Sequence, residues 1–220
     1  MVMGKSVYSL VLDDDVVNAV DKLAHSMSTS RSNLINTILA QKVELDTPQM
    51  RMESIFSAMQ SLIDSHFQLI DRQSSSRLSI KSMLEYKYKP TIRYSVELER
   101  DTGGKVGSLK VRLRTTSENL IGLMESFFTL WRELEKANLS HLFTGGFPGS
   151  ISQGCFTRDF YSPAQERLSD REIGIAIGRY IRLIDGCIQK YFDNLDDPQR
   201  AARLTEQTYK KYLDQGVLIL

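Results

Sequence analysis

The side chains with the most chemical reach in this 220-residue sequence are three histidines, two cysteines and twenty-eight lysines and arginines. Metal chemistry needs ligands grouped at short, fixed spacings. His25, His66 and His141 stand far apart and have no cysteine neighbours at such spacing, so neither a metal nor another cofactor is expected. Cys155 and Cys187 are too few for a disulfide framework and read as free thiols. Catalysis is equally short of signal. No GxSxG, HExxH or paired cysteine–histidine pattern occurs, and the carboxylates fall on helix faces and turns, so an enzyme is not expected. Gly145-Gly146-Phe147-Pro148-Gly149 has the glycines to cradle a phosphate, but no Lys-Ser or Lys-Thr pair follows, and the stretch reads as a surface loop.

Charge is the chemistry that remains. The whole chain is almost neutral, at +1, which gives no global push toward nucleic acid or membrane. Locally the balance differs: residues 77–114 hold ten basic and four acidic side chains. Lys110, Arg112 and Arg114 fall on one side of an alternating strand, with Lys87, Lys89 and Arg93 nearby in sequence. Brought together, these six would form a secondary basic patch suited to a DNA backbone. Left apart, they are a solvated sheet face whose cations discourage edge pairing.

The elements that must position these residues can be read from periodicity. Thr47 and Pro48 open a helix expected to run to about Asp71, with Met52, Ile55, Met59, Leu62, His66 and Leu69 in steps of three and four. Within that stripe His66 reads as a partly buried side chain with an ordinary hydrogen bond. Gln73–Ser76 reads as a loop. Thr91–Arg100 and Val106–Thr115 alternate cleanly around a glycine turn and form a hairpin. Ser117 caps a helix to about Ala137, whose face of Leu120, Met124, Phe127, Phe128 and Trp131 should cover the hairpin. Residues 138–165 are irregular. Ser169 and Glu172 make a capping box for a further helix, on which Gly174 and Gly178 sit one turn apart. Asp197 and Pro198 start the last helix, and residues 217–220 form an apolar tail expected to dock on its own domain or on a dimer mate.

The first forty-five residues have a different character. Val7 to Leu12 alternates with a period of two, Tyr8, Leu10 and Leu12 on one face, Val7, Ser9 and Val11 on the other. Three aspartates follow, Asp13 to Asp15, then Val16, Val20, Leu23, Ala24 and Met27 at helical spacing. Ser28 to Ser30 break that helix, and Leu34, Ile35, Ile38, Leu39 and Val43 mark a second. One strand and two short helices bury too little surface to stand alone, and a lone strand leaves both edges unpaired. Two copies pairing their strands antiparallel is the economical solution.

The order strand, acidic turn, helix, "STSRSNLI", helix resembles the ribbon-helix-helix DNA-binding family, without gaps from Lys5 to Glu44 and most specifically at Ser30 to Ile35. The resemblance implies a homodimer whose β-ribbon enters the major groove of double-stranded DNA. It makes Lys5, Val7, Ser9 and Val11 the base-reading residues and Ser30, Arg31 and Ser32 the phosphate grip at a helix start. Two readers are valines, which touch a thymine methyl but offer no hydrogen bond. Residues 1–45 also carry a net charge of −1, which makes the module by itself a weak binder. A reader joined to an α+β domain is similar in layout to nickel-responsive repressors, but their His and Cys cluster is missing here.

The expected fold is thus mainly α with α+β, in three parts: a ribbon-helix-helix domain (1–46), a long connecting helix (47–76) and an α+β oligomerisation or sensor domain with a hairpin or meander and long helices (77–220). The expected function is a dimeric, sequence-specific DNA-binding protein acting as a transcriptional repressor. The resemblance covers plasmid partition and relaxosome accessory roles equally well. A rival of another class is a non-DNA scaffold in which the ribbon is only a dimer joint. The C-terminal region has room for an effector or a protein partner. No signal-peptide pattern or apolar run of about 20 residues occurs, so a cytoplasmic, nucleoid-associated protein without a membrane partner is expected.

Overall fold

A computed structural model describes residues 7–216 except Ser28, Glu44, Ile63, 101–103, Thr144 and 164–167. The chain divides into two compact units between Arg51 and Met52. Lys5 and the 217–220 tail lie outside the described residues.

In the first unit, Val7–Asp13 form no strand; the first regular element is the helix Asp14–Ser26 (α1), followed by Arg31–Lys42 (α2). The alternating pattern predicts a strand, but a strand needs a neighbour's N–H and C=O groups, and nothing within this unit supplies that edge. Asp14 and Asp15 in the first turn of α1 complement its dipole. Ser30 caps α2, its Oγ accepting the Asn33 N–H at 3.2 Å.

The second unit is a two-layer α+β structure. Its sheet comprises Gln68–Ser74 (β1), Arg77–Met83 (β2), Thr91–Leu98 (β3), Lys105–Arg114 (β4), Gly149–Ser152 (β5) and Cys155–Tyr161 (β6). All neighbours are antiparallel, in the order β1-β2-β3-β4-β6-β5. Helices Pro48–Gln60 (α3, from Met52 onward), Glu118–Leu139 (α4), Asp170–Phe192 (α5) and Pro198–Asp214 (α6) complete it. Alternation explains the division of faces. Leu78, Ile80, Tyr94, Val96, Leu109, Val111, Phe156 and Phe160 point into one core with Phe56, Phe127, Phe128, Trp131, Ile177 and Ile184 of the helices. The outward residues between them are polar.

Two expectations are corrected. The helix opened by Pro48 stops at Gln60, and residues 68–74 are an edge strand. Asp64 ends any continuation by accepting the His66 N–H on its own side chain at 3.0 Å, offering the backbone a turn in place of a helix. Residues 138–165 are not simply a loop: they contain β5 and β6, and β6 is an interior strand. Gln153 and Gly154 both have positive φ, 49° and 66°, which is the two-residue turn that suits a tight hairpin. The alternation in β6 was hidden because its middle inward residue is Arg158, between Phe156 and Phe160.

That arginine is fully buried and is made tolerable by its surroundings. Its Nε lies 3.5 Å from Glu135 Oε1, and its guanidinium stacks near Phe143, Phe147 and Phe160. Tyr180 donates to Glu135 at 2.8 Å and accepts from Trp131 Nε1 at 3.0 Å. Burial pushes Glu135 above the usual carboxylate range, against the pull of Arg158 and Tyr180. A second polar centre, the buried carboxylate of Asp185 on α5, accepts from Tyr94 Oη at 2.7 Å and from Ser82 Oγ, and bonds His66 Nε2 at 2.9 Å. It ties the helix layer to β2, β3 and the segment before β1. Burial, reinforced by the Asp185 charge, pushes the Tyr94 hydroxyl well above its ordinary value, so it stays a donor.

The close approach of α3 to α5 depends on glycine. A Cβ at Gly174 would stand 2.3 Å from the Ile55 carbonyl oxygen, and one at Gly178 3.2 Å from that of Met59. Gly174→Val should therefore destabilise the protein by about 3 kcal/mol in urea unfolding. Gly186→Ala, on the same helix but facing open space, should stabilise it by about 0.5–1 kcal/mol. Removing one partner of the buried pair isolates the other's charge: Glu135→Leu should cost about 3–5 kcal/mol. Adding Arg158→Met should recover much of that loss, and a double-mutant cycle measures it.

Candidate functional site

Two surfaces hold the residues that sequence reading singled out. The first is the N-terminal unit. Val7, Ser9 and Val11 are all exposed, as are the apolar partners Tyr8, Leu10 and Leu12. Ser30 and Ser32 lie at the start of α2, where free N–H groups gather. Arg31 does not point its fork outward for a phosphate. Its Nε donates to Asp21 Oδ1 at 2.6 Å and its Nη2 to Asp21 Oδ2, so the guanidinium joins α2 to α1. That pairing holds Asp21 below the usual carboxylate range, chiefly by hydrogen bonding.

The apolar residues of this unit are poorly covered. Ala24, Leu34 and Ala40 are buried, whereas Leu10, Leu12, Val16, Leu23, Met27, Ile38, Leu39 and Val43 are exposed. Of the eighteen large hydrophobic residues exposed among those described, twelve fall between Val7 and Leu45. Scattered apolar residues on a surface need no explanation; this density on a unit with almost no core does.

The second surface is the outward face of β2, β3 and β4. Register places Lys81 opposite Arg93 and Arg93 opposite Arg112. In the neighbouring row Ser79, Ser95 and Lys110 are opposite one another, and beyond it Arg77 faces Glu97. Arg77, Arg93, Lys110, Arg112 and Arg114 line a groove of about 320 Å³ with Ser79, Ser95, Glu97 and Cys155. Arg77 pairs with Glu97 at 2.8 Å, and Ser79 Oγ lies 3.0 Å from Ser95 Oγ.

Four of the six predicted patch residues thus come together, Arg93, Lys110, Arg112 and Arg114. Lys87 and Lys89 do not line the groove. They lie in the β2–β3 connection, where Tyr88 and Lys89 have positive φ and Lys89 pairs with Glu85 at 3.1 Å. Arg77 and Lys81 lie outside the predicted patch; on β2, Arg77-x-Ser79-x-Lys81 reads outward by simple alternation. A further basic groove, of about 690 Å³, runs beside α5 and α6 between Arg179, Arg182, Lys190 and Lys211. Its residues come from separate helices, so no local pattern announces it.

Other chemistry is sparse. Among the described residues no three His, Cys, Asp or Glu side chains are grouped to hold a metal. Both cysteines are free, and burial pushes the Cys187 thiol up to about 12, while Cys155 is half-buried at the groove. Among the described residues no helix is long and apolar enough to cross a membrane.

No family model, no curated protein and no solved structure matches the chain.

Proposed function

We propose that the protein is a homodimeric DNA-binding regulator, most simply a repressor, in which residues 7–12 of two copies pair as an antiparallel ribbon. The observation that carries this reading is the exposure of Tyr8, Leu10 and Leu12 together with the apolar faces of α1 and α2. A second copy would cover those faces and give the strand its missing edge, turning a unit without a core into one with a shared core. Pairing would leave Val7, Ser9 and Val11 on the opposite, outward face, where a major groove is read. Ser30 and Ser32 at the helix start suit a phosphate, while Arg31 stays with Asp21. Binding by this unit is expected to be modest in strength, because its net charge is slightly negative.

Sedimentation of the full chain should show a dimer, and Leu10→Asp should shift it to monomer. In a selection from random genomic fragments, wild-type protein should retain a specific subset, with retention falling as salt rises. Ser9→Asp should abolish that retention while leaving the dimer intact. Equal, weak retention of every fragment would make the ribbon a dimer joint only and leave the scaffold reading.

A further inference from the structure

The outward sheet face carries a cation arrangement that weakens the sheet. Lys81, Arg93 and Arg112 stand side by side across β2, β3 and β4. Like charges directly opposite on neighbouring strands are destabilising. Among the described residues none of the three has an ion-pair partner. Arg93 Nε is buried and has no hydrogen-bond acceptor. A guanidinium N–H that is buried and unsatisfied, held between two other cations, calls for an anion.

The groove's outline limits what that anion is. It is about 320 Å³, the scale of a small molecule. Its lining residues include no aromatic ring, so a nucleobase has nothing to stack on. Along the strands the unpaired cations end at a charge-balanced row, in which Arg77, Glu97, Ser108 and Asp159 are cross-strand partners, Glu97 pairing with Arg77 and Asp159 with Lys105. A continuous polyanion laid along the strands runs past both carboxylates; a compact one in the groove meets only Glu97, whose charge Arg77 already pairs. Planar guanidinium forks at Arg93 and Arg112 match tetrahedral oxyanions that present several oxygens, and Ser79 and Ser95 add hydroxyls at the same site.

We propose that this groove binds a compact ligand carrying at least two phosphate groups, held chiefly by Arg93 and Arg112. The site is independent of the ribbon reading and stands if the N-terminal unit never touches DNA. Calorimetric titration of the full chain at about 0.15 M salt should show saturable binding of pyrophosphate, about tenfold tighter than orthophosphate and than citrate. Arg93→Gln with Arg112→Gln should weaken it by about tenfold or more (1.4 kcal/mol per factor of ten). The melting temperature of this variant should be no lower than wild type, because a repulsion is relieved. Should the double variant fail to fold, the exposed Arg112→Gln alone carries the test. Lys87→Gln with Lys89→Gln, outside the groove, should leave binding unchanged. Absence of saturable pyrophosphate binding, equal loss in both double variants, or citrate binding as tightly as pyrophosphate overturns the site. A short DNA duplex that displaces pyrophosphate overturns the compact-ligand assignment in favour of a nucleic-acid backbone.

Discussion

Apolar surface has to be covered, and the two units of this chain meet that constraint in opposite ways. In the second unit, alternation along six strands gathers Leu, Ile, Val, Phe and Tyr on one sheet face, and four helices close over it. Coverage there is complete enough that an arginine and two carboxylates can be buried beneath it, each with partners. In the first unit the same alternation, over six residues, has nothing opposite it. The proposed dimer is the answer to that imbalance, and the composition of α1 and α2, apolar on faces left exposed, is consistent with it.

The same division of faces produces the basic groove. A two-layer sheet has one covered face and one turned to water, so the outward positions on β2, β3 and β4, the buried Ser79 apart, carry little packing demand. Polar residues of any kind would satisfy that freedom. The chain instead places five lysines and arginines around two serines and sets like charges opposite one another. Selection for stability alone gives no reason for such a row, and sites that cost stability are where function is commonly found.

Much of the second unit was legible in the sequence, and the failures have physical causes. The hairpin of β3 and β4 was readable because each strand alternates without exception from Ile92 to Leu98 and from Leu109 to Leu113. The starts of α4, α5 and α6 were readable because Ser117, Ser169 and Asp197 accept backbone N–H groups as their types suggest. The strand β6 was not readable because its inward arginine depends on Glu135, twenty-three residues away, and on ring faces from the preceding loop. The end of α3 was obscured because His66 and Leu69 continue a helical stripe by coincidence, while Asp64 redirects the backbone. The basic groove was half visible: one strand's alternation is local, whereas the register that sets Arg93 beside both Lys81 and Arg112 is a property of three strands.

The proposed pairing of residues 7–12 between two copies is tested most directly by backbone hydrogen exchange across those residues. If two copies pair there, those amides are protected at high protein concentration and lose protection on dilution through the dissociation range. Amides that exchange freely at every concentration, in a protein otherwise fully protected in β2, β3 and β4, would contradict the dimer.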